Sequence, residues 1–139
     1  MYSSFYETNL AVMIIDIDHF KQINDLHGHL VGDEVLKQFV EVIQSVLRHG
    51  IDWMSRYGGE EFVVVLKNVD FSHANKVAER IRQSVERHFF KIGDHVHRLT
   101  CSIGLSMCQS GNLKQTELLQ EADQKLYQAK NNGRNCVIS

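Results

Sequence analysis

The sequence predicts an α/β (α+β) domain, a layered sandwich in which helices flank a central mixed, mostly antiparallel sheet. Residues 11–17, AVMIIDI, are almost continuously apolar, which is typical of a strand covered on both faces. Two further strand-like segments flank Gly58 and Gly59, and paired glycines are a strong signal for a two-residue hairpin turn. Segments with helical apolar spacing separate the strands and give the order β-α-β-β-α-β-α-β.

The first half of the chain contains a predicted helix and a hairpin after the first strand. A loop or a short helix is predicted through residues 18–28. Apolar residues then recur at helical spacing from Asp33 to about Arg48, and Asp33 is a natural N-cap for that helix. IDWMSRY at 51–57 and EEFVVVL at 60–66 are the predicted strands of the hairpin.

The second half continues the alternation. Ser72 is the predicted cap of a second amphipathic helix. Residues 98–107 alternate between apolar and polar types, which predicts a half-buried strand. Thr116 is the predicted cap of a last helix that ends near Gly133, and residues 135–139 form a short final strand.

Composition excludes several classes of protein. The chain has 139 residues, which fits one domain, with 43% apolar and 23% charged residues. Its formal net charge of -2 predicts no general attraction to nucleic acid or to acidic membranes, and no apolar run reaches transmembrane length. The three cysteines include no CxxC pair, which favours a reducing, cytoplasmic location.

Four carboxylates stand close to strand ends. Asp16 and Asp18 are predicted to lie on the same side of the first strand, and Glu60 and Glu61 on opposite sides of theirs. Neighbouring strands would bring Asp16 and Glu60 together. Such a group selects hard cations such as Mg²⁺, whereas solvated strand ends remain the simpler alternative for any one of these residues.

Four sequence blocks resemble the GGDEF-domain family. Residues 56–62, RYGGEEF, match its signature in the variant with Glu at the third position. Residues 15–36, 102–106 and 122–135 resemble the family's first strand with the following helices, its later strand and its last helix. The blocks occur in the family's order and together cover residues 10–138.

The resemblance implies a fold like that of nucleotidyl cyclases and polymerase palm domains. It implies a single GGDEF domain over residues 1–139, acting as a diguanylate cyclase. Such an enzyme condenses two GTP molecules into cyclic di-GMP, releases two pyrophosphates and uses Mg²⁺ or Mn²⁺.

The metal and catalytic roles implied by the resemblance fall on four residues. Glu60 would bind the metal together with Asp16 and the carbonyl group of Ile17. Glu61 would be either a further metal ligand or the base for the attacking hydroxyl. The resemblance therefore makes Asp16, Glu60 and Glu61 the candidate catalytic residues.

The nucleotide would be held by backbone and side chains together. Gly58 and Gly59 would let the hairpin approach GTP closely. Backbone N–H groups at His19 and Phe20, in the turn after the first strand, would hold the β- and γ-phosphates.

Four side chains complete the predicted substrate contacts. The resemblance places Lys130 and Arg134 on the phosphates, although basic residues at a helix end often only complement the helix dipole. Asn24 and Asp33 would select guanine, because a carboxylate accepts from its N1–H and 2-amino groups, which adenine lacks.

The resemblance also implies a homodimer, since each domain would hold one GTP and one two-fold interface joins two half-sites. The usual DxLTGLxNRR-like segment is absent before the first strand, which predicts a C-terminal catalytic fragment of a longer regulatory protein. A non-catalytic sensor of GTP or cyclic di-GMP, and a cyclase with another product, are the alternatives. Neither nucleic acid nor direct membrane contact is expected, and the histidines are expected to serve surface or packing roles.

The family's inhibitory RxxD motif is predicted to be degenerate. Asp52 occupies its final position, but His49 stands where the arginine is expected. Arg48 is adjacent, and the one-residue offset would turn its side chain away. Cyclic di-GMP is therefore expected to bind weakly at this site.

Overall fold

The computed structural model describes residues 9–108 and 115–139, with the side chains of 115 and 116 excepted. Its main sheet has five strands in the order β2-β3-β1-β6-β7. The strands are β1 Leu10–Ile17, β2 Trp53–Gly58, β3 Glu61–Lys67, β6 Cys101–Cys108 and β7 Val137–Ile138. All neighbours are antiparallel except β6 and β7, which are parallel, so the predicted mixed, mostly antiparallel sheet is confirmed.

Within the described residues, four helices and a small hairpin pack around this sheet. Gly28, with φ of 90°, separates the first two helices. The elements are α1 Phe20–His27, α2 His29–Val46, α3 Phe71–Arg87 and α4 Gln115–Asn131, with β4 Phe90–Ile92 paired to β5 His95–His97. No helix in the described part of the chain is both long and apolar enough to cross a membrane.

Both faces of β1 are buried, as its continuous apolar run predicts. Met13 and Ile15 pack on one face in the larger core, where helices α2 and α3 lie. Val12 and Ile14 pack on the other face against the apolar side of α4. Alternate side chains of one strand thus enter two cores, and β1 is the middle strand of the sheet.

Two predictions of helix caps are wrong, and one small hairpin was not predicted. Asp33 is the fifth residue of α2 and not its N-cap, because the helix already begins after Gly28. Asp70, not Ser72, caps α3, and its carboxylate accepts from the backbone N–H of His73 at 2.7 Å. The β4–β5 hairpin was not predicted, because three-residue strands are too short to show a periodicity. The predicted cap Thr116 has a side chain outside the described residues.

Gly104 sets the distance between β6 and α4. A methyl group there would lie 2.1 Å from the carbonyl oxygen of Ala122 and 2.3 Å from the backbone nitrogen of Leu126. We expect Gly104→Ala to lower the free energy of unfolding by about 3 kcal/mol, because helix backbone and not a flexible side chain must move. Urea denaturation of the variant and the wild type measures this difference.

Gly58→Ala is the matched control on the same sheet, since no atom lies within 4 Å of the added methyl group. Its unfolding midpoint should stay close to that of the wild type. Equal stability of the two variants would contradict the close contact between β6 and α4.

Candidate functional site

The hairpin turn lies one residue later than the sequence predicts. Gly58 is the last residue of β2 and pairs with Glu61, so Gly59 and Glu60 form the turn. A register shift between Arg56 and Gly58 causes this displacement, and Gly59 takes a φ of 48°, which suits glycine. Glu60 therefore lies in the turn, and the prediction that both glutamates alternate along one strand is wrong for Glu60.

The side chain of Arg56 stabilises this turn. Its Nε donates to the carbonyl oxygen of Gly59 at 2.8 Å. The carbonyl of Glu60 in turn accepts from the backbone N–H of Ile17 at 3.4 Å, at the end of β1. The turn is thereby held beside the end of the central strand, next to Ile17, which is one of the predicted metal ligands.

Asp16 is the most buried carboxylate of this group. It lies directly opposite Glu61 in the β1–β3 register and is 4% exposed. Its Oδ2 forms an ion pair with Nζ of Lys130 at the end of α4. Its Oδ1 is buried and has no hydrogen-bond partner among the described residues. A buried oxygen without a donor is costly, and a cation would satisfy it.

The electrostatics of the site follow from this crowding. Burial raises the pKa of Asp16 to about 6, Lys130 opposes the rise, and Glu60 and Glu61 add to it. Burial also raises the pKa of Glu61, which Lys130 again opposes. The pKa of Lys130 is raised by its bond to Asp16, although burial acts in the opposite direction. The site therefore concentrates negative charge around one ammonium group.

The carboxylates fit a hard cation in chemical type. Within residues 9–108 and 115–139, no three His, Cys, Asp or Glu side chains converge closely enough to hold a metal ion as they stand. Lys130 forms an ion pair with Asp16 in this arrangement. The unpartnered oxygen of Asp16 and the oxygen-only donor set nevertheless match the preferences of Mg²⁺.

An open pocket of about 350 Å³ lies between the turn and the first two helices. Asn24 of α1 and Asp33 of α2 line it together with Gly59 and Glu60. Gly32 makes room for Asn24, because a methyl group at Gly32 would lie 1.8 Å from Oδ1 of Asn24. The predicted base-selecting residues and the predicted catalytic turn are therefore neighbours.

The predicted phosphate turn begins α1. His19 has a left-handed φ of 59° and caps the helix without a side-chain hydrogen bond. The first N–H groups of a helix lack intrahelical acceptors, so those at Phe20 and Lys21 are available to an anion. The side chain of Phe20 is 7% exposed and belongs to the core.

Lys130 and Arg134 both come to this end of the sheet. Helix α4 ends at Asn131, and Gly133 has a φ of 101°. Arg134 follows with a φ of 65°, and its positive charge lowers the pKa of Lys130, so the two cations face one region. The predicted interruption of the helix near Gly133 is confirmed.

Asp18 has a role that the sequence did not indicate. Its buried carboxylate accepts from the hydroxyl groups of Thr100 and Ser102 and from the backbone N–H of Asn135. Only the proximity of Asp18 to Asp16 was visible in the sequence. The structure gives the Asp18 carboxylate three hydrogen-bond donors.

The region of the predicted inhibitory motif has an unexpected partner. Arg48 reaches Asp52 through its backbone N–H at 2.8 Å and through its guanidinium group at 2.7 Å. Nη2 of Arg48 also donates to the carbonyl of Lys67. The prediction that Arg48 turns away is wrong, because the chain folds into a turn after Arg48 and returns Asp52 to it. His49 and Asp52 both line a cavity of about 300 Å³.

The raised pKa of Asp16 gives a direct test of this geometry. In the metal-free protein the Asp16 carboxyl should titrate near pH 6, and in Lys130→Met at higher pH, because the ammonium group lowers this pKa. Between pH 3.8 and 6 the folded state keeps a proton that the unfolded chain releases, so the contribution of Asp16 to stability falls as the pH rises. Carboxyl NMR titration measures the pKa.

Lys125→Met is the matched control, since Lys125 pairs with Glu121 on the same helix at 3.1 Å. It should leave the Asp16 titration unchanged. An Asp16 pKa at its ordinary value of 3.8, or one unaffected by Lys130→Met, would contradict the buried ion pair.

Comparison with known proteins places the chain in a family. The family model of the diguanylate cyclase GGDEF domain matches residues 3–136. The chain is 43% identical to the probable diguanylate cyclase DgcT of Escherichia coli K12, over 98% of this chain and 30% of that protein. It is 44% identical to diguanylate cyclase A of Treponema denticola, over 92% of this chain and 34% of that protein. The chain thus spans about a third of these relatives or less.

Solved structures agree in fold. The active GGEEF domain of a diguanylate cyclase from Vibrio cholerae matches with a TM-score of 0.87 and 36% identity, over 99% of this chain and 88% of that chain. The GGDEF domain of DgcB from Caulobacter crescentus, in complex with c-di-GMP, matches with a TM-score of 0.88 and 30% identity, over 97% and 81%. The chain belongs to the GGDEF-domain family of diguanylate cyclases.

Proposed function

We propose that this domain is a diguanylate cyclase that condenses two GTP molecules into cyclic di-GMP. The observation that carries the proposal is the pocket in which Asn24 and Asp33 line one side and the Gly59–Glu60 turn lines the other. Asp16, with a buried unpartnered oxygen, lies against the same turn. A base-binding pocket and a metal-binding group are thus adjacent, as nucleotidyl transfer requires.

Guanine selection is assigned to Asn24 and Asp33. The carboxylate of Asp33 accepts from N1–H and the 2-amino group, and the amide of Asn24 offers a donor and an acceptor to the base edge. Adenine would leave these groups unpaired within the pocket, which is the stronger basis for rejection. The position of Asp33 inside α2 leaves its carboxylate free from N-capping and so available to a base.

The phosphates are assigned to the positive end of the site. Lys130 and Arg134 approach it from the end of α4, and the N–H groups at His19 and Phe20 approach it from the start of α1. Lys130 forms an ion pair with Asp16. A cation held by Asp16 would compete with this ion pair, and the ammonium group would then be available to the triphosphate.

Asp16, Glu60 and the carbonyl of Ile17 would hold the divalent cation, Mg²⁺ or Mn²⁺, with Glu61 as a further ligand or as the base. The bound cation would lower the pKa of the 3′-hydroxyl and stabilise negative charge that develops at phosphorus. The hydroxyl oxygen of one GTP attacks the α-phosphorus of the other, the bond to pyrophosphate breaks, and the hydroxyl proton is taken up by a base. The reciprocal attack closes the ring.

A homodimer is part of the proposal, because one pocket holds one GTP and each half-reaction needs a second nucleotide. A two-fold arrangement brings two identical pockets face to face with a single interface. Dimer assembly makes the specific activity depend on protein concentration, so the assay below includes a dilution series.

The function is tested by chromatography of products formed from GTP, ATP or both with Mg²⁺. We expect cyclic di-GMP from GTP alone and no product from ATP. Glu60→Gln, which keeps size and removes charge, should reduce the rate by about a hundredfold or more, as for the loss of a transition-state contact. Specific activity should rise with protein concentration.

Glu117→Gln is the control for this loss of charge, because Glu117 is an exposed residue in the first turn of α4. It should turn over GTP at the wild-type rate. Binding of GTP or cyclic di-GMP without turnover would favour a sensor, and a mixed product would favour a different cyclase.

Weak inhibition by cyclic di-GMP is the second functional proposal. Asp52 already forms an ion pair with Arg48, and the neutral side chain of His49 offers at most one hydrogen-bond donor. In His49→Arg a guanidinium group can grip guanine with two donors, and we expect cyclic di-GMP to bind about tenfold more tightly. Calorimetry and inhibition kinetics measure the difference.

His73→Arg is the control, because His73 is exposed on α3 and the substitution adds the same charge outside the motif. Its inhibition constant should equal that of the wild type. Wild-type inhibition as strong as that of His49→Arg would show that the site is intact without the arginine.

A further inference from the structure

The two segments assigned to the phosphates meet at one buried carboxylate. Asp18 immediately precedes His19, and Asn135 immediately follows Arg134. Oδ2 of Asp18 accepts from the backbone N–H of Asn135 at 3.0 Å. This hydrogen bond joins residues that are 117 positions apart and fixes the separation of the two segments.

The Asp18 carboxylate is held rigidly on the sheet. It is 4% exposed and accepts from Oγ of Ser102 at 2.6 Å and from Oγ1 of Thr100 at 2.7 Å. Its own backbone N–H donates to the carbonyl of Thr100 at 3.0 Å. Hydrogen bonds to an ionised carboxylate are short and strong, and three of them stabilise its charge without a metal.

The side chain of Asn135 is anchored to α3. Its Oδ1 accepts from Nη1 of Arg82 at 2.9 Å, and its Nδ2 donates to Oε2 of Glu86 at 2.6 Å. Arg82 is itself fixed by a two-pronged contact to Glu79. Asn135 is thus held by the sheet through its backbone and by α3 through both ends of its amide.

The anchored loop has an unusual backbone. Gly133, Arg134 and Asn135 have φ values of 101°, 65° and 47° in succession. Non-glycine residues seldom adopt such values, although asparagine tolerates them better than most, and they persist where surrounding contacts impose them. The contacts of Asn135 restrain the loop here, together with the hydrogen bond from the backbone N–H of Arg134 to the carbonyl of Ala129 at 3.0 Å.

We propose that Asp18 and Asn135 are positioning residues for the triphosphate, which rests on the proposed GTP-binding function. Together they hold Arg134 and the His19–Phe20 turn at a fixed distance across the phosphate region. Neither residue touches the base pocket, whose lining comes from α1, α2 and the hairpin. Release of the anchor should therefore weaken binding of the phosphates and spare binding of guanine.

The test compares Asn135→Gly with wild type by calorimetry, using GTP with Mg²⁺ and GMP with Mg²⁺ as the two probes. Glycine accepts the φ of 47° but removes both amide contacts. We expect the affinity for GTP to fall about tenfold, because a hydrogen bond to a charged group is lost. The affinity for GMP should fall by less than about twofold. The KM for GTP should rise more than kcat falls.

Two further variants complete the test. Glu86→Ala removes the partner of Nδ2 and also the ion pair of Glu86 with Arg82, and it should weaken GTP binding about threefold while the partly exposed helix face keeps the fold intact. Asn132→Ala, in the same loop, is the control, because the structure describes no side-chain hydrogen bond for Asn132 and the residue is exposed. Its affinity for both nucleotides should match wild type.

Each outcome decides the proposal. Unchanged GTP affinity in both Asn135→Gly and Glu86→Ala overturns the positioning role and leaves the proposed function standing. Equal losses for GTP and GMP also overturn it, since they indicate a general structural role. If the wild-type protein binds no GTP, the proposed function fails and this inference fails with it.

Discussion

The architecture of the site depends on a buried carboxylate at the end of the central strand. Asp16 lies in a strand covered on both faces, opposite Glu61 and beside the Gly59–Glu60 turn. Removal of a carboxylate from water is unfavourable unless a cation or several donors compensate. Its burial therefore makes the end of β1 a place where positive charge is stabilised, and Lys130 provides such a charge.

A second buried carboxylate, that of Asp18, lies just after the end of β1 and is stabilised by hydrogen bonds rather than by a cation. Asp18 receives two hydroxyl donors and one backbone donor, so its negative charge is stabilised locally. Asp16 has one cationic partner and one oxygen without any. The two aspartates therefore differ in chemistry. Asp18 faces hydrogen-bond donors from Thr100, Ser102 and the last loop, whereas Asp16 faces glutamates.

Helix α4 links packing to charge at this site. Close approach at Gly104 seats the helix directly on β6, and the apolar residues Leu118, Ala122 and Leu126 continue that contact. Lys130 follows one turn later, at the level of Asp16. The position of the ammonium group is therefore set by backbone contact between a helix and a strand, and a shift of the helix would change the electrostatics of the site.

The sequence by itself determined the elements whose signals are local. The apolar run of β1, the helical spacing of α2 to α4 and the glycine that ends α4 each depend on neighbours within a few residues, and the four family blocks supplied the site residues. Sequence reasoning also placed Asn24, Asp33 and the hairpin in one site, and they line one pocket.

Only the tertiary structure decided the contacts between distant residues. The shifted hairpin turn depends on the register with β3, and the ion pair of Asp16 with Lys130 depends on the seating of α4 on β6. The hydrogen bond from Asn135 to Asp18 spans 117 positions, so no periodicity or spacing in the sequence could indicate it. Such contacts form because packing of the two cores brings together residues that are far apart in the sequence. Local patterns do not encode that packing.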